Sequence, residues 1–268
     1  MGAGFEEQYY EAEELWAPGA LGPFDQERIE VATSRIPSEV RSLVDVGCGN
    51  GLFVNYLVDH HSARFGRIVG VDRSAAALRH VRAEQTRGSV DALPFENDTF
   101  DLATCMEVLE HLPVKTFEAA LREIVRVSRR YVLVTVPNDQ DLSVGMARCR
   151  VCGCIFHPDY HLRSFDARRL HQMFSETHDC LEVFPIAMSK AVRPPVMRAL
   201  HRLRRAAGLP EARPPKHAMC PMCGDRERGQ QVRGDATGRR LPPGLRRVVS
   251  RVVVVQRPRW LGALYRRR

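Results

Sequence analysis

Through the first two thirds of the chain, short apolar runs alternate with stretches whose apolar residues recur every three or four positions. The runs predict strands at about 42–46, 67–71, 88–91, 101–106, 131–136 and 181–187, with a last one at 249–256. Between them, Phe117, Leu121, Ile124 and Val125 recur at helical spacing, predicting a helix over 116–129 with Thr116 as its N-cap. A second helix is predicted from Ser164 through Leu170, Met173 and Phe174, and a weaker amphipathic segment over 195–207. Ahead of the first strand, Phe5, Tyr9, Tyr10, Leu15 and Trp16, a Pro/Gly break, and then Phe24, Ile29, Val31 and Ile36 read as one or two helices. Strand and helix alternating at these lengths imply an α/β protein with a mostly parallel sheet covered on both faces.

The first predicted strand ends in Asp45-Val46-Gly47-Cys48-Gly49-Asn50-Gly51. Glycines here allow a tight turn and close approach of a ligand to backbone amides, beside the opening of the next helix. A dinucleotide fingerprint needs Gly-x-Gly-x-x-Gly. In this chain the third glycine falls one residue early, Leu52 takes the fingerprint position, and an acidic residue precedes the turn. The second strand ends at Asp72, a carboxylate suited to accepting from two ribose hydroxyls. Then follow Gly88-Ser89-Val90-Asp91-Ala92-Leu93-Pro94-Phe95 and Met106-Glu107-Val108-Leu109-Glu110-His111. Taken singly, the glycines fit a bare turn and the carboxylates solvated loop ends; their joint order at successive strand ends favours a cofactor site.

Over roughly residues 30 to 187, this ordered set resembles the class I S-adenosylmethionine-dependent methyltransferases, in the subgroup acting mostly on small molecules. The resemblance implies a doubly wound, mostly parallel seven-stranded sheet with an antiparallel last strand. It also implies that Asp45, Gly47, Gly49, Asn50 and Gly51 line the methionine portion of S-adenosylmethionine, that Asp72 with Arg73 holds the ribose, and that Met106 borders the same site. Ser89 and Val90 stand where the family carries Asp-Ala beside the adenine, and Asp91 substitutes only if the loop is shifted. The domain reading is a helical cap over 1–37, a cofactor-binding core over 38–187, insertions at 145–165 and 188–248, and the last strand with a basic tail over 249–268.

Cysteines change this picture. Cys149-Arg150-Val151-Cys152-Gly153 and Cys220-Pro221-Met222-Cys223-Gly224 are two matching Cys-x-x-Cys-Gly knuckles, which read as a four-thiolate structural Zn2+ site. Such a zinc would clasp two long loops at the carboxyl edge of the sheet, over the pocket. Cys154, His157 or His161 are alternative ligands, and a redox pair is a second reading. Cys48, Cys105 and Cys180 read as small buried hydrophobes, and His60, His61, His80, His171 and His178 as ordinary surface or helix histidines.

Charge is uneven. Of 40 Lys/Arg and 32 Asp/Glu, residues 190–268 carry 21 and 4, leaving 19 and 28 for the front. A basic rear segment suits nucleic acid, an anionic membrane surface or an acidic substrate; an arginine-rich surface without a partner is the other reading. Residues 1–14 are acidic and no apolar run approaches bilayer length, so a cytoplasmic location is expected.

Methyl transfer needs acceptor and methyl group held in near-attack geometry with water excluded. His111 is the candidate general base for a hydroxyl acceptor. Within His161-Leu162-Arg163-Ser164-Phe165, His161 and Arg163 are candidates for binding an anionic or hydroxylated substrate, and Pro137-Asn138 borders the acceptor side. The expected function is S-adenosylmethionine-dependent methylation of a small molecule or glycan at oxygen. The alternatives are an RNA methyltransferase using the basic segment and a non-catalytic zinc-stabilised binding module.

Overall fold

A computed structural model describes residues 5–17, 23–192, 196, 199, 203, 218–225 and 254–268. Its strands are β1 (Ser42–Val46), β2 (Arg67–Asp72), β3 (Glu84–Arg87), β4 (Phe100–Met106), β5 (Ser128–Pro137), β6 (Ala147–Arg148), β7 (Ile155–Phe156), β8 (His178–Val192) and β9 (Val254–Arg267). Its helices are α1 (Phe5–Tyr10), α2 (Glu13–Trp16), α3 (Pro23–Ser34), α4 (Leu52–His61), α5 (Ala75–Leu78), α6 (Val114–Val127) and α7 (Ala167–Gln172).

Seven strands form one sheet in the order β3-β2-β1-β4-β5-β9-β8, and β6 pairs with β7 in a separate hairpin. Pairing is parallel from β3 to β5 and antiparallel between β5 and β9, as the resemblance implies. Two units divide the chain: Glu6–Gln140, His161–Ala187 and Pro258–Arg268 form the larger, while Met1–Phe5, Asp141–Tyr160 and Met188–Arg257 form the smaller.

Side-chain alternation builds the two layers of the larger unit. Val44, Val46, Val132, Val134, Val136, Ala263 and Tyr265 face one cluster with Ile124 and Val127 of α6 and Leu170 of α7. Leu43, Leu102, Tyr131, Leu133 and Leu264 face the other, with Ile29, Ala32, Phe53 and Leu57 of α3 and α4. Complete burial of each large side chain contributes roughly 1.5–3 kcal/mol, and the parallel strands read as unbroken apolar runs because both faces are covered.

Several boundaries differ from the expectations. The third strand is Glu84–Arg87, and residues 89–92 form a turn instead. A sheet-edge strand with residues Glu-Gln-Thr-Arg carries no apolar run to betray it. Helix α6 begins after Pro113 and ends at Val127, so Thr116 lies inside it and is no cap. The cap of α7 is Asp166, whose carboxylate accepts from Arg169 N at 2.7 Å; Ser164 precedes it. Of the predicted last strand, 249–253 lie outside the described residues, as does nearly all of 195–207. The strand itself runs to Arg267, so most of the expected basic tail is sheet: Leu261, Ala263 and Tyr265 are buried in it. Among the histidines, His178 departs from expectation. It is buried, bonded to Thr177 Oγ1 at 2.9 Å, and burial together with Arg267 and Arg268 lowers its pKa to about 4.

Candidate functional site

The glycine turn after β1 is built by backbone hydrogen bonds: Gly47 N and Cys48 N donate to Val71 O at 2.8 and 3.0 Å, and Gly51 N donates to Cys48 O at 2.9 Å. Gly47, Gly49 and Gly51 all have positive φ, at 76°, 54° and 80°, where a side chain is strained. Bare backbone is also required by the neighbours. A Cβ on Gly47 would meet Val108 Cγ2 at 2.6 Å, and one on Gly49 would meet the Trp16 ring at 2.9 Å.

Two buried carboxylates flank this turn. Asp45 accepts from Thr104 Oγ1 at 2.6 Å, and burial raises its pKa to about 7 against the opposing pull of that hydroxyl; the charge of Asp72 adds to the rise. Asp72 accepts from Gly49 N at 2.9 Å and Ser74 N at 2.8 Å, and burial raises its pKa as well. The residues predicted from successive strand ends thus converge, Asp72 being tied directly to the glycine turn. The chemistry of the set fits S-adenosylmethionine: a glycine turn without side chains of its own for the amino-acid portion, a strand-end carboxylate for ribose, and acids suited to a positively charged ligand.

Around the residues expected at the adenine, the structure differs from the expectation in detail. Ser89 is exposed and its hydroxyl donates to the carboxylate of Asp91, while Val90 packs against the core. Arg73 is exposed, its guanidinium 4.8 Å from the centroid of the Tyr10 ring. Asn50 Nδ2 donates to Trp16 O at 3.3 Å, and half-buried Met106 packs against the α3–α4 layer.

The N-terminal helices contribute more than the sequence indicated. Trp16 lies on Gly49 and donates from Nε1 to Tyr10 O at 2.6 Å; Ser74 Oγ donates to the same carbonyl at 2.7 Å. The Glu11 carboxylate accepts from Ala75 N and Ala76 N, both at 3.1 Å, and these amides hold its pKa down. The aromatic spacing was visible; the role of Glu11 carried no local signal, since its partners lie over sixty residues away.

Beyond β4, a 3₁₀ turn at Leu109–His111 carries Glu110 and His111. Glu107, Glu110, His111 and His161 gather here, with the His111 and His161 rings 4.7 Å apart between centroids. Glu107 accepts from Thr135 Oγ1 at 2.9 Å and faces Arg28 at 3.6 Å; burial raises its pKa, which Arg28 opposes. Glu110 is raised well above the usual carboxylate range by burial and by Glu107. Gln140 Oε1 bonds His161 Nδ1. Arg163, expected at substrate, instead lies 3.9 Å over the Phe117 ring and donates to Leu112 O, Phe165 is core, and Asn138 is tied to the backbone of Pro258 and Arg259.

In the smaller unit, Cys149, Cys152, Cys220 and Cys223 converge with all four sulfurs within 4.8 Å of one another, and every cysteine is a free thiol. Cys149 and Cys223 are 3.7 Å apart and Cys152 and Cys220 3.5 Å. Zn–S bonds of about 2.3 Å in a tetrahedron require sulfur separations near 3.8 Å, so the set fits zinc. The knuckles are alike. Gly153 and Gly224, at φ 74° and 73°, donate back to Cys149 O and Cys220 O at 3.1 and 2.9 Å. Burial works to raise the Cys220 pKa, yet the amides of Cys223 and Met222 outweigh it and bring it to about 7. Tyr160 ties the two segments, accepting from Met219 N and donating to Met219 O, each at 2.7 Å. Cys48 and Cys105 are buried as expected, while Cys180 is half-buried.

Residues 44–134 match a family described as a methyltransferase domain, and the sheet order and glycine turn agree with it. The match is confined to residues 44–134, and the sheet around them has the class I methyltransferase fold. Over 115 residues it is 30% identical to a ubiquinone biosynthesis O-methyltransferase from Coxiella burnetii, covering 38% of this chain and 47% of the relative. Over 98 residues it is 35% identical to the ubiquinone biosynthesis O-methyltransferase of Albidiferax ferrireducens, covering 32% and 37%. The chain thus spans about half the length, or less, of these curated relatives. A solved S-adenosylmethionine-dependent methyltransferase from Archaeoglobus fulgidus shares the fold, at 13% identity, with a TM-score of 0.51 and 98% of both chains covered. Among the described residues, no helix is long and apolar enough to cross a membrane.

Proposed function

We propose that this protein transfers a methyl group from S-adenosylmethionine to an oxygen of a small molecule or glycan, with Asp45, the 47–51 turn and Asp72 as the cofactor cradle. The observation that carries this reading is the convergence of Asp72, Gly49 and Asp45 around one turn whose glycines admit no side chain. When bound, the cofactor supplies an electrophilic methyl group on sulfur. The chain's part is to present backbone amides and two acids to it, to cover the turn with Trp16, and to set His111 and His161 nearby to orient an acceptor hydroxyl or take its proton. The partial match to ubiquinone O-methyltransferases favours oxygen as the acceptor atom. Arg73, Ser89, Val90, Asp91 and Met106 are assigned to the ribose and adenine side.

The experiment is calorimetric titration with S-adenosylmethionine and NAD side by side. Micromolar binding of S-adenosylmethionine with no heat from NAD is expected, and Gly49→Val is expected to abolish it; binding of NAD alone refutes the reading. The four cysteines are proposed to hold one structural zinc, because four thiolates leave no open position for water. The domain boundaries that accompany this reading are a helical cap over 1–37, a core over 38–187, zinc-linked segments over 145–165 and 188–248, and the final strand beyond 249.

A further inference from the structure

Arg259 is a cation for which the cofactor cradle has no use. Its guanidinium lies 4.6 Å from the centroid of the Phe24 ring and 5.3 Å from that of Trp260, so two aromatic rings hold it. The residue is exposed, and among the described residues no carboxylate or carbonyl engages its side chain. Elsewhere on the larger unit, Arg35, Arg67, Arg79, Arg82 and Arg126 each pair with an acid. A cation–π contact fixes a guanidinium without using its N–H groups, which leaves a fork of donors set in place and unspent.

This fork stands at the carboxyl edge of the sheet. Trp260 is paired with Pro137, the last residue of β5, and Asn138 donates from N to Arg259 O at 2.9 Å and from Nδ2 to Pro258 O at 3.0 Å. The Trp260 indole also bonds the carboxylate of Glu107, which directly follows β4 and precedes His111 on the same connection. Arg28 lies 5.3 Å from the Trp260 centroid, but its charge is matched by Asp25 at 3.3 Å and Glu107 at 3.6 Å. Arg259 has no such match and keeps its charge for a ligand. Open α/β sheets take their ligands outside the carboxyl ends of the strands, and all of these residues belong to the larger unit.

We propose that Arg259, held by Phe24 and Trp260, binds an oxyanion of the acceptor, so that the molecule to be methylated carries a carboxylate or phosphate group. The proposal rests on the methyltransferase reading for its acceptor. Arg163, the anion ligand expected from the sequence, is turned to the Phe117 ring and Leu112 O, and Arg259 supplies what Arg163 does not. A guanidinium fork matches two oxygens of a carboxylate or phosphate at once, which fixes direction as well as position. Phe24, 37% exposed beside it, offers an apolar face to the body of the molecule. An anion fixed at this edge decides which acceptor hydroxyl is brought to the methyl group, so the fork acts on specificity and not on the transfer step.

The test is a titration of the full chain followed by the proton NMR linewidths of three probes: phenyl phosphate, benzoate and neutral benzyl alcohol. Wild type is expected to bind one of the two anions about tenfold tighter than benzyl alcohol, and whichever anion binds tighter names the group. Arg259→Gln is expected to remove that preference while benzyl alcohol binding and the melting temperature stay unchanged. Arg259→Lys is expected to restore part of it, and Phe24→Leu to weaken anion binding about twofold to fivefold through loss of one ring contact. An anion preference that persists in Arg259→Gln, or one absent from wild type, overturns the site. S-adenosylmethionine titrated into the same samples separates the failures. Cofactor binding without an anion preference overturns the oxyanion site alone. An Arg259-dependent anion preference without cofactor binding overturns the methyltransferase reading, and with it the assignment of the anion to an acceptor.

Discussion

Asp45 is buried at the end of β1 against Thr104, and burial raises its pKa to about 7. A cationic ligand favours the ionised form. Affinity for S-adenosylmethionine is therefore expected to fall as pH drops below about 7, where the empty protein holds Asp45 protonated, and to level off above it. Calorimetry across pH 5.5–8.5 measures this, and Asp45→Asn is expected to weaken binding about tenfold and flatten the dependence. The acid and the glycines were legible in the sequence because their chemistry is local: a turn requiring positive φ and a carboxylate at a strand end. Glu11, whose partners Ala75 and Ala76 are distant in sequence, and Glu110, whose isolation is a matter of burial, were not.

Elements were readable in proportion to how much apolar surface they bury. β1, β2, β4 and β5 stand within a few residues of their expected positions, whereas β3, mostly exposed, carries no such pattern. The expected end of the last strand, at 256, falls short because Arg257, Pro258 and Arg259 interrupt the apolar run, although β9 continues through them to Arg267. Its packing yields a sharp expectation. A Cβ on Gly262 would run into the ring of Phe184, which is itself buried on β8. Gly262→Ala is expected to destabilise the protein by about 1–3 kcal/mol through overpacking, read as a lower urea midpoint with unchanged slope, and Phe184→Leu in the same chain is expected to recover part of the loss.

For the whole molecule, the four cysteines join segments 68 or more residues apart, a connection that spacing alone left open among Cys154, His157 and His161. One zinc per chain is expected by metal analysis of protein purified without chelator, and none in Cys149→Ser with Cys220→Ser. A zinc held by this set would contribute its binding as folding free energy, and chelation is then expected to abolish a distinct thermal transition of the smaller unit. The larger unit, whose core contains none of these cysteines, should retain its own.

The position of β9 between β5 and β8 has a consequence for biosynthesis. Every other strand of the sheet leaves the ribosome before it, so β5 waits with an open backbone edge until the last strand is made. Nascent chains stalled ahead of Val254 should therefore be the species that chaperones capture and that aggregate when chaperones are scarce.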